Sequence, residues 1–185
     1  MKYIIGIDAS TTKTGVSIYK VLKSGKKLYK YELIDAEKNT KIPDTMKTKS
    51  KDKKKIKKEK SNQRTILRVE YTIHELLKIL HTYQKQGEIV KIGMEDTYGT
   101  VDVSSTKSLA RIQGSVLGFA LEYKVDLQFI NPSSWRKKVG IPLKRDDIWF
   151  KREDLKQFAV KMVRDLYHID VIDDIADAIL IGAAV

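Results

Sequence analysis

Residues 3–20 read YIIGIDASTTKTGVSIYK. The stretch Tyr3–Ala9 is isoleucine-rich and loosely alternating, and a Ser/Thr/Lys cluster separates it from a second strand-like run, Thr14–Lys20. A third such run, Leu28–Ile34, follows a Lys/Ser/Gly turn, so the chain opens with three strands, expected as an antiparallel meander. Asp8 is the one charged residue of the first strand. It stands where the side chain is held rigidly and the chain must soon turn.

From Lys38 to Lys60 the pattern collapses. Lys47, Lys49, Lys51, Lys53, Lys54, Lys55, Lys57, Lys58 and Lys60 stand against Asp52 and Glu59 alone. Such a segment has too little apolar surface to offset its ordering entropy, and we expect a basic mobile loop at about 38–62. Ile66, Val69, Ile73, Leu76, Leu77 and Leu80 then recur at helical spacing, predicting an amphipathic helix from about Gln63 to Gln84 that Gly87 ends. Ile89–Glu95 reads as a strand, and Ser104–Lys124 as a helix with Leu109, Ile112, Val116, Phe119 and Tyr123 on its apolar face. A strand near Leu127–Ile130, a Pro- and Trp-containing loop, a charged helix over about Lys151–Leu166 and a small-residue-rich helix from Asp173 complete the order βββαβαβαα. That alternation implies an α/β domain: a central mixed sheet with helices on its faces.

Composition bounds the chemistry. The 185 residues suit a single domain, 1–185. The net charge of +12 points to a polyanionic partner, nucleic acid ahead of an anionic membrane surface. No apolar run is long enough to span a bilayer and no leader pattern is present, so we expect no membrane association and a cytoplasmic protein, in the host cytoplasm if phage-encoded. The chain has no cysteine, which excludes disulfides, zinc-thiolate cages and thiol nucleophiles.

Carboxylates are then the groups to weigh. Asp8 and Glu95 each end a strand, and each alone is equally a turn-forming or solvated acid. Asp174 and Asp177 are three apart in a segment otherwise made of Ile, Ala and Leu, so both share one helical face. Helix capping by Asp173 or Asp174 explains the first position. It does not explain Asp177, which lies a turn further in, where an unneutralised carboxylate is costly. Hard oxygen donors in this combination suit Mg²⁺ or Mn²⁺, whereas Zn²⁺ favours His and Cys. Basic surface and acidic pocket fit together: the one draws in a phosphate backbone, and the other holds ions that polarise a phosphodiester and activate water for in-line attack.

Taken together, Gly6-Ile7-Asp8, Met94-Glu95-Asp96-Thr97-Tyr98 and Asp174-Ile175-Ala176-Asp177-Ala178 resemble the three acidic motifs of RuvC-type Holliday junction resolvases, in the RNase H-like nuclease superfamily. The resemblance covers nearly the whole chain. It implies an RNase H-like fold with a five-stranded mixed sheet, three antiparallel strands then two parallel. It implies an active site of Asp8, Glu95, Asp174 and Asp177 holding two Mg²⁺ ions, with Mn²⁺ as a substitute. The implied activity is paired symmetric nicking of branched DNA, four-way junctions above all, leaving 5′-phosphate and 3′-hydroxyl ends. Tyr98 stands where the family has an aromatic residue that engages a base, or else is a loop aromatic resting on the core. The family is dimeric, and the Ser104–Lys124 helix, with Gly114 and Gly118, is the implied homodimer contact; packing within the chain is the alternative for those glycines. Lys137, Lys138, Lys144, Arg145, Lys151 and Arg152 fall where the family contacts phosphates, though they equally form a solvated face. Ala9-Ser10 replaces the family's usual Pro-Gly, so a different turn is expected there. The basic run Lys53, Lys54, Lys55, Lys57 and Lys58 is a further DNA-contact candidate, and the features resemble the shorter phage-type members.

Two other readings compete. Residues 6–15, GIDASTTKTG, also resemble the first phosphate loop of actin-like ATPases, but the chain lacks a second lobe with its own such loop, and no nucleotide cofactor is expected. A branched-DNA-binding protein without catalysis is the other. The histidines add little: His74 and His81 are about 10 Å apart by helical rise, and His168 reads as a helix-end residue.

Overall fold

The computed structural model describes residues 1–41, 53–96 and 103–185. The first three strands are β1 (Lys2–Asp8), β2 (Lys13–Leu22) and β3 (Gly25–Asp35), followed by a single turn, α1 (Ala36–Asn39), and a long helix, α2 (Lys53–Gln86). Then come β4 (Glu88–Glu95), α3 (Val103–Tyr123), β5 (Asp126–Ile130), α4 (Pro132–Val139), a two-stranded hairpin of β6 (Lys144–Arg145) and β7 (Ile148–Trp149), α5 (Arg152–Tyr167) and α6 (Asp173–Ala184). The main sheet has the order β3-β2-β1-β4-β5. β1–β2 and β2–β3 are antiparallel, and β1–β4 and β4–β5 are parallel, which is the expected five-stranded mixed sheet.

Alternation along the strands divides the interior into two layers. Tyr3, Ile5 and Ile7 of β1 and Val16 and Ile18 of β2 pack with Leu76 and Leu80 of α2 and Ile112 and Val116 of α3. The opposite face receives α4, α5 and α6, through Trp135, Ala159, Val163, Ile179 and Leu180. Each fully buried aliphatic side chain contributes about 2 kcal/mol.

Helix α6 lies unusually close to the sheet, and glycine is the reason. A Cβ on Gly6 would stand 2.3 Å from the Ala178 carbonyl oxygen, and one on Gly15 would stand 2.0 Å from that of Asp174. Ser17 Oγ donates to the Ala178 carbonyl at 2.7 Å, and Tyr19 Oη donates to that of Ile179 at 2.9 Å. Both buried hydroxyls are therefore satisfied while fixing the helix in place.

A one-residue bulge sets the facing of β4. Tyr3 pairs with Ile89, but Ile4 pairs with Lys91, leaving Val90 as the extra residue. Ile89 faces the α2/α3 layer. Beyond the bulge Ile92 and Met94 face that layer instead, and Gly93 and Glu95 turn to α6 and α4.

Three expectations need correction. Residues 53–62, expected within a mobile loop, form the first turns of α2, since lysine is a good helix former and these turns continue a helix anchored further on by Val69, Leu76 and Leu80. The rest of the lysine run, including Lys47, Lys49 and Lys51, lies outside the described residues, as does Tyr98. The Pro/Trp segment, expected as a loop, is the helix α4: the Asn131 side chain accepts from the Ser133 N–H, Pro132 occupies the first turn, and Gly140 ends the helix with φ of 91°. The basic stretch before α5 contains the β6–β7 hairpin, whose two turn residues, Asp146 and Asp147, have φ of 48° and 63°. Among the described residues no helix is long and apolar enough to cross a membrane.

Candidate active site

Because β1 and β4 are parallel neighbours, with Ile7 opposite Met94, Asp8 and Glu95 emerge side by side at the same end of the sheet. Asp8 lies on the α6 face two residues beyond Gly6, where the helix backbone comes closest. The first turns of α6 carry Asp174 and Asp177 over the same spot. The four expected carboxylates, with Asp173 and Asp96, line one cleft of about 450 Å³, together with Ala9, Ser10, Arg136, Arg152 and Lys156. The turn after β1 is closed by Ser10, whose Oγ accepts from the Lys13 N–H at 2.9 Å and donates to the Lys13 carbonyl at 2.7 Å; this replaces the Pro-Gly turn.

The electrostatics are those of an acidic cluster short of countercharge. Burial, reinforced by Glu95, Asp177 and Asp174, pushes the Asp8 carboxyl well above the usual carboxylate range, against the opposing pull of Arg136. Burial likewise raises Asp177 to about 7, with Glu95 adding to the rise and Arg136 opposing it. Asp174 is raised by burial and by Asp173. Burial also acts on Asp173, but its hydrogen bond and ion pair with Lys156 outweigh that and hold it below the usual range. Asp173 is thus a paired acid at the cleft edge.

Two residues of α4 that sequence reading missed hold the cluster. Trp135, fully buried, donates its indole N–H to Glu95 Oε2 at 2.8 Å. Arg136 reaches Asp177 Oδ2 at 3.2 Å, and its guanidinium carbon sits 4.4 Å from the Trp135 ring centre. Among the described residues, Asp177 Oδ1 and Arg136 Nε are buried with no hydrogen-bond partner. The available signal was the Asn131-Pro132 helix start, which places Trp135 and Arg136 one turn in.

The donors are hard oxygens, as a divalent ion of the Mg²⁺ class requires, and the unpartnered Asp177 oxygen with the raised carboxyls marks a place where cationic charge would be stabilising. As they stand, no three or more Asp, Glu or His side chains among the described residues are arranged to hold one ion. Glu95 is turned to Trp135 and Asp177 to Arg136.

The expected DNA-contact residues are not gathered in one place, and Lys138 lies toward Lys26, which bonds the carbonyls at the far end of α6. Arg152 lines the cleft; Lys137, Lys138 and Lys151 are exposed outside it. Lys144 and Arg145 are exposed on the hairpin and paired with Asp147 and Asp146. Helix α2 runs from Gly87, against the Met1 carbonyl, to Arg68, which pairs at 2.9 Å with Glu37, itself hydrogen-bonded through its N–H to Thr12 in the β1–β2 turn. Its turns before Arg68 therefore extend roughly 22 Å past the carboxylate end of the sheet, carrying Lys53 in the backbone and Lys54, Lys55, Lys57 and Lys58 as exposed side chains. None of the three histidines lies in the cleft; His168 caps α5 in the left-handed conformation.

On α3 a Cβ at Gly114 or Gly118 would meet nothing among the described residues within 4 Å. Packing against the described part of the chain therefore does not account for these glycines. Leu117 and Leu121 beside them are 43% and 72% exposed.

No protein-family model matches the chain. No curated protein matches it in sequence. Solved structures do match in fold. Thermus thermophilus RuvC in complex with a Holliday junction substrate is 16% identical with a TM-score of 0.61, covering 98% of this chain and 91% of that one. The fowlpox virus resolvase with Holliday junction DNA is 13% identical at 0.56, over 98% and 95%. The yeast mitochondrial Holliday junction resolvase Ydc2 is 12% identical at 0.54, over 98% and 77%. The fold is the RNase H-like fold shared by these RuvC-type resolvases.

Proposed function

We propose that this protein is a metal-dependent endonuclease that binds four-way DNA junctions and resolves them by paired symmetric nicks, leaving 5′-phosphate and 3′-hydroxyl ends. The observation that carries the proposal is the meeting of Asp8, Glu95, Asp174 and Asp177 in one cleft, at the ends of two parallel strands and the start of a helix pinned to the sheet. Asp8, Glu95, Asp174 and Asp177 would hold two Mg²⁺ or Mn²⁺ ions, which when bound supply Lewis-acid polarisation of the phosphodiester and a water of lowered pKa. The chain's own residues do the rest. Trp135 orients Glu95, and Arg136 restrains Asp177 while the cleft is unloaded. Arg152 and Lys156 at the rim attract the phosphate backbone, and the lysines of α2 extend that attraction along one arm of the substrate. The open face of α3, with Gly114, Leu117, Gly118 and Leu121, supports a homodimer in which two clefts related by a two-fold axis address two strands of a junction.

The test is an end-labelled four-way junction and a matching linear duplex, incubated with the protein in Mg²⁺ and in EDTA and resolved on a denaturing gel. Paired nicks confined to the junction and to the metal lanes are expected. Junction binding without cleavage across a series of divalent metals would replace this reading with a non-catalytic one.

A further inference from the structure

Beside the carboxylate cleft is a second cavity, of about 280 Å³, lined by Asn131, Pro132, Ser133, Arg136, Leu143, Trp149, Phe150 and Leu155. Pro132, Arg136 and Leu155 also line the cleft, so the two spaces share a wall. Its outer side is the β6–β7 hairpin. Trp149 and Ile148 there are 69% and 74% exposed, large apolar side chains that the fold does not use.

The hairpin is built to hold its shape. Its turn has two residues, both in the left-handed region that matches the twist of a tight hairpin. The Phe150 N–H bonds the Leu143 carbonyl at 3.0 Å, and the Phe150 ring packs edge-on against Phe158 of α5 at 4.9 Å. Trp149 is therefore presented on a braced support. The charges at the tip are spent internally, Lys144 on Asp147 and Arg145 on Asp146. What the hairpin offers is an aromatic plane, followed directly in the chain by the exposed cations Lys151 and Arg152 and sharing its cavity with Arg136.

We infer that this cavity is a subsite for a single unpaired nucleobase of the strand whose backbone enters the carboxylate cleft, with Trp149 as the stacking surface. The inference rests on the proposed nuclease function. Cationic surroundings select a nucleic acid strand over an apolar peptide, and a rigid exposed indole next to polar Asn131 and Ser133 suits a base with a flat face and a hydrogen-bonding edge. Taking a base out of the stack costs least where pairing or stacking is already interrupted, and the crossover of a four-way junction is where the continuous stack is broken. The subsite would give the nuclease a base preference at a fixed offset from the cut.

Tryptophan fluorescence tests this on the full chain in EDTA, with Trp149→Phe as the control that isolates the Trp149 signal by difference. A junction carrying 2-aminopurine, placed at successive positions near the crossover, serves as the probe. Quenching of the Trp149 component, and a change in 2-aminopurine emission at one position that Trp149→Ala removes and Trp149→Phe largely keeps, is the expected result. Trp149→Ala should weaken junction binding about tenfold and flatten the base preference at the nick, while linear duplex binding stays as it was. Junction binding that leaves Trp149 emission unchanged would overturn the subsite and leave the nuclease proposal standing. Absence of junction binding altogether would overturn both. A Trp149 signal that depends on protein concentration without DNA would assign the surface to a second copy of this chain and overturn the subsite.

Discussion

The two charged regions of this molecule are organised in opposite ways. The acids at the sheet end are few, enclosed and fixed by backbone elements from distant parts of the sequence: two strand ends, a helix seated on glycines, and an indole and a guanidinium from α4. The bases of α2, α4 and the hairpin are many and exposed, carried on the outer side of α4, on the hairpin and on the turns of α2 before Arg68. On the proposed function, the chemistry that depends on geometry falls to the first region and the attraction that depends only on charge to the second. Loss of one acid should therefore be nearly total in effect, whereas loss of one base should be graded.

The sharpest way to break that contrast is Asp8→Asn. Cleavage should fall at least about a thousandfold, and junction binding should stay intact or tighten as the repulsion toward phosphate is lowered. Denaturation should show no loss of stability, because the substitution relieves repulsion in a cluster whose carboxyls are already raised. Retained cleavage would remove Asp8 from the centre of the mechanism.

Next in size are the lysines of α2. Replacing Lys54, Lys55, Lys57 and Lys58 with glutamine should weaken binding without changing the cleavage rate at saturation. In a plot of log affinity against log salt, the slope should drop by about 0.9 for each phosphate that is no longer neutralised. An unchanged slope would show that this arm does not touch DNA. Leu117→Glu with Leu121→Glu should convert a dimer to a monomer in sedimentation and turn paired nicks into single, uncoordinated ones; an unaltered mass would assign the open face of α3 no part in assembly.

Smaller still is the response to pH. A carboxyl raised from the ordinary range to about 7, as Asp177 is, binds its proton more tightly in the folded chain than in the unfolded one. Folding stability must then rise as pH falls from above 7 toward the unfolded value near 4, and level off above 7. In EDTA, Tm should be roughly 3 °C higher at pH 6 than at pH 8 from this group. Divalent metal should shrink or reverse that difference by holding the carboxylates ionised. The smallest effect is expected from Trp135→Phe, which keeps the ring and removes the N–H to Glu95. It should cost about 1 kcal/mol of stability and raise the metal concentration needed for half-maximal cleavage more than it lowers the maximal rate.

The five sheet strands, and the four acids that line one cleft, were legible because strand alternation and isolated acids in apolar runs are local signals. The start of α2 was misjudged because the ordering entropy of Lys53–Lys60 was weighed against that segment's own apolar surface, as though it were isolated. Joined to a helix held by Val69, Leu76 and Leu80, those turns need only propagate, which is far less demanding than nucleation. Trp135 and Arg136 were out of reach for a different reason. Their partners, Glu95 and Asp177, are 40 and 41 residues away in the chain, and no periodicity encodes such a pairing. The hairpin was missed because Asp146-Asp147 is a rarer occupant of a left-handed two-residue turn than the Asn-Gly or Asp-Gly signal.

The bulge at Val90 makes the cleft depend on a count as well as on chemistry. Glu95 reaches Trp135 and the neighbourhood of Asp8 only because the bulge takes Val90 out of the alternation, so that Lys91 and not Val90 lies opposite Ile4. A chain that kept Val90 but paired it regularly with Ile4 would hold every acid and every apolar side chain, yet it would turn Glu95 toward the α2/α3 layer and Met94 toward the cleft, whereas a chain lacking Val90 would lose the bulge and leave Glu95 where it is. An alignment gap at position 90 is thus neutral for the aim of the terminal acid, and parity counted along the ungapped strand is what misleads.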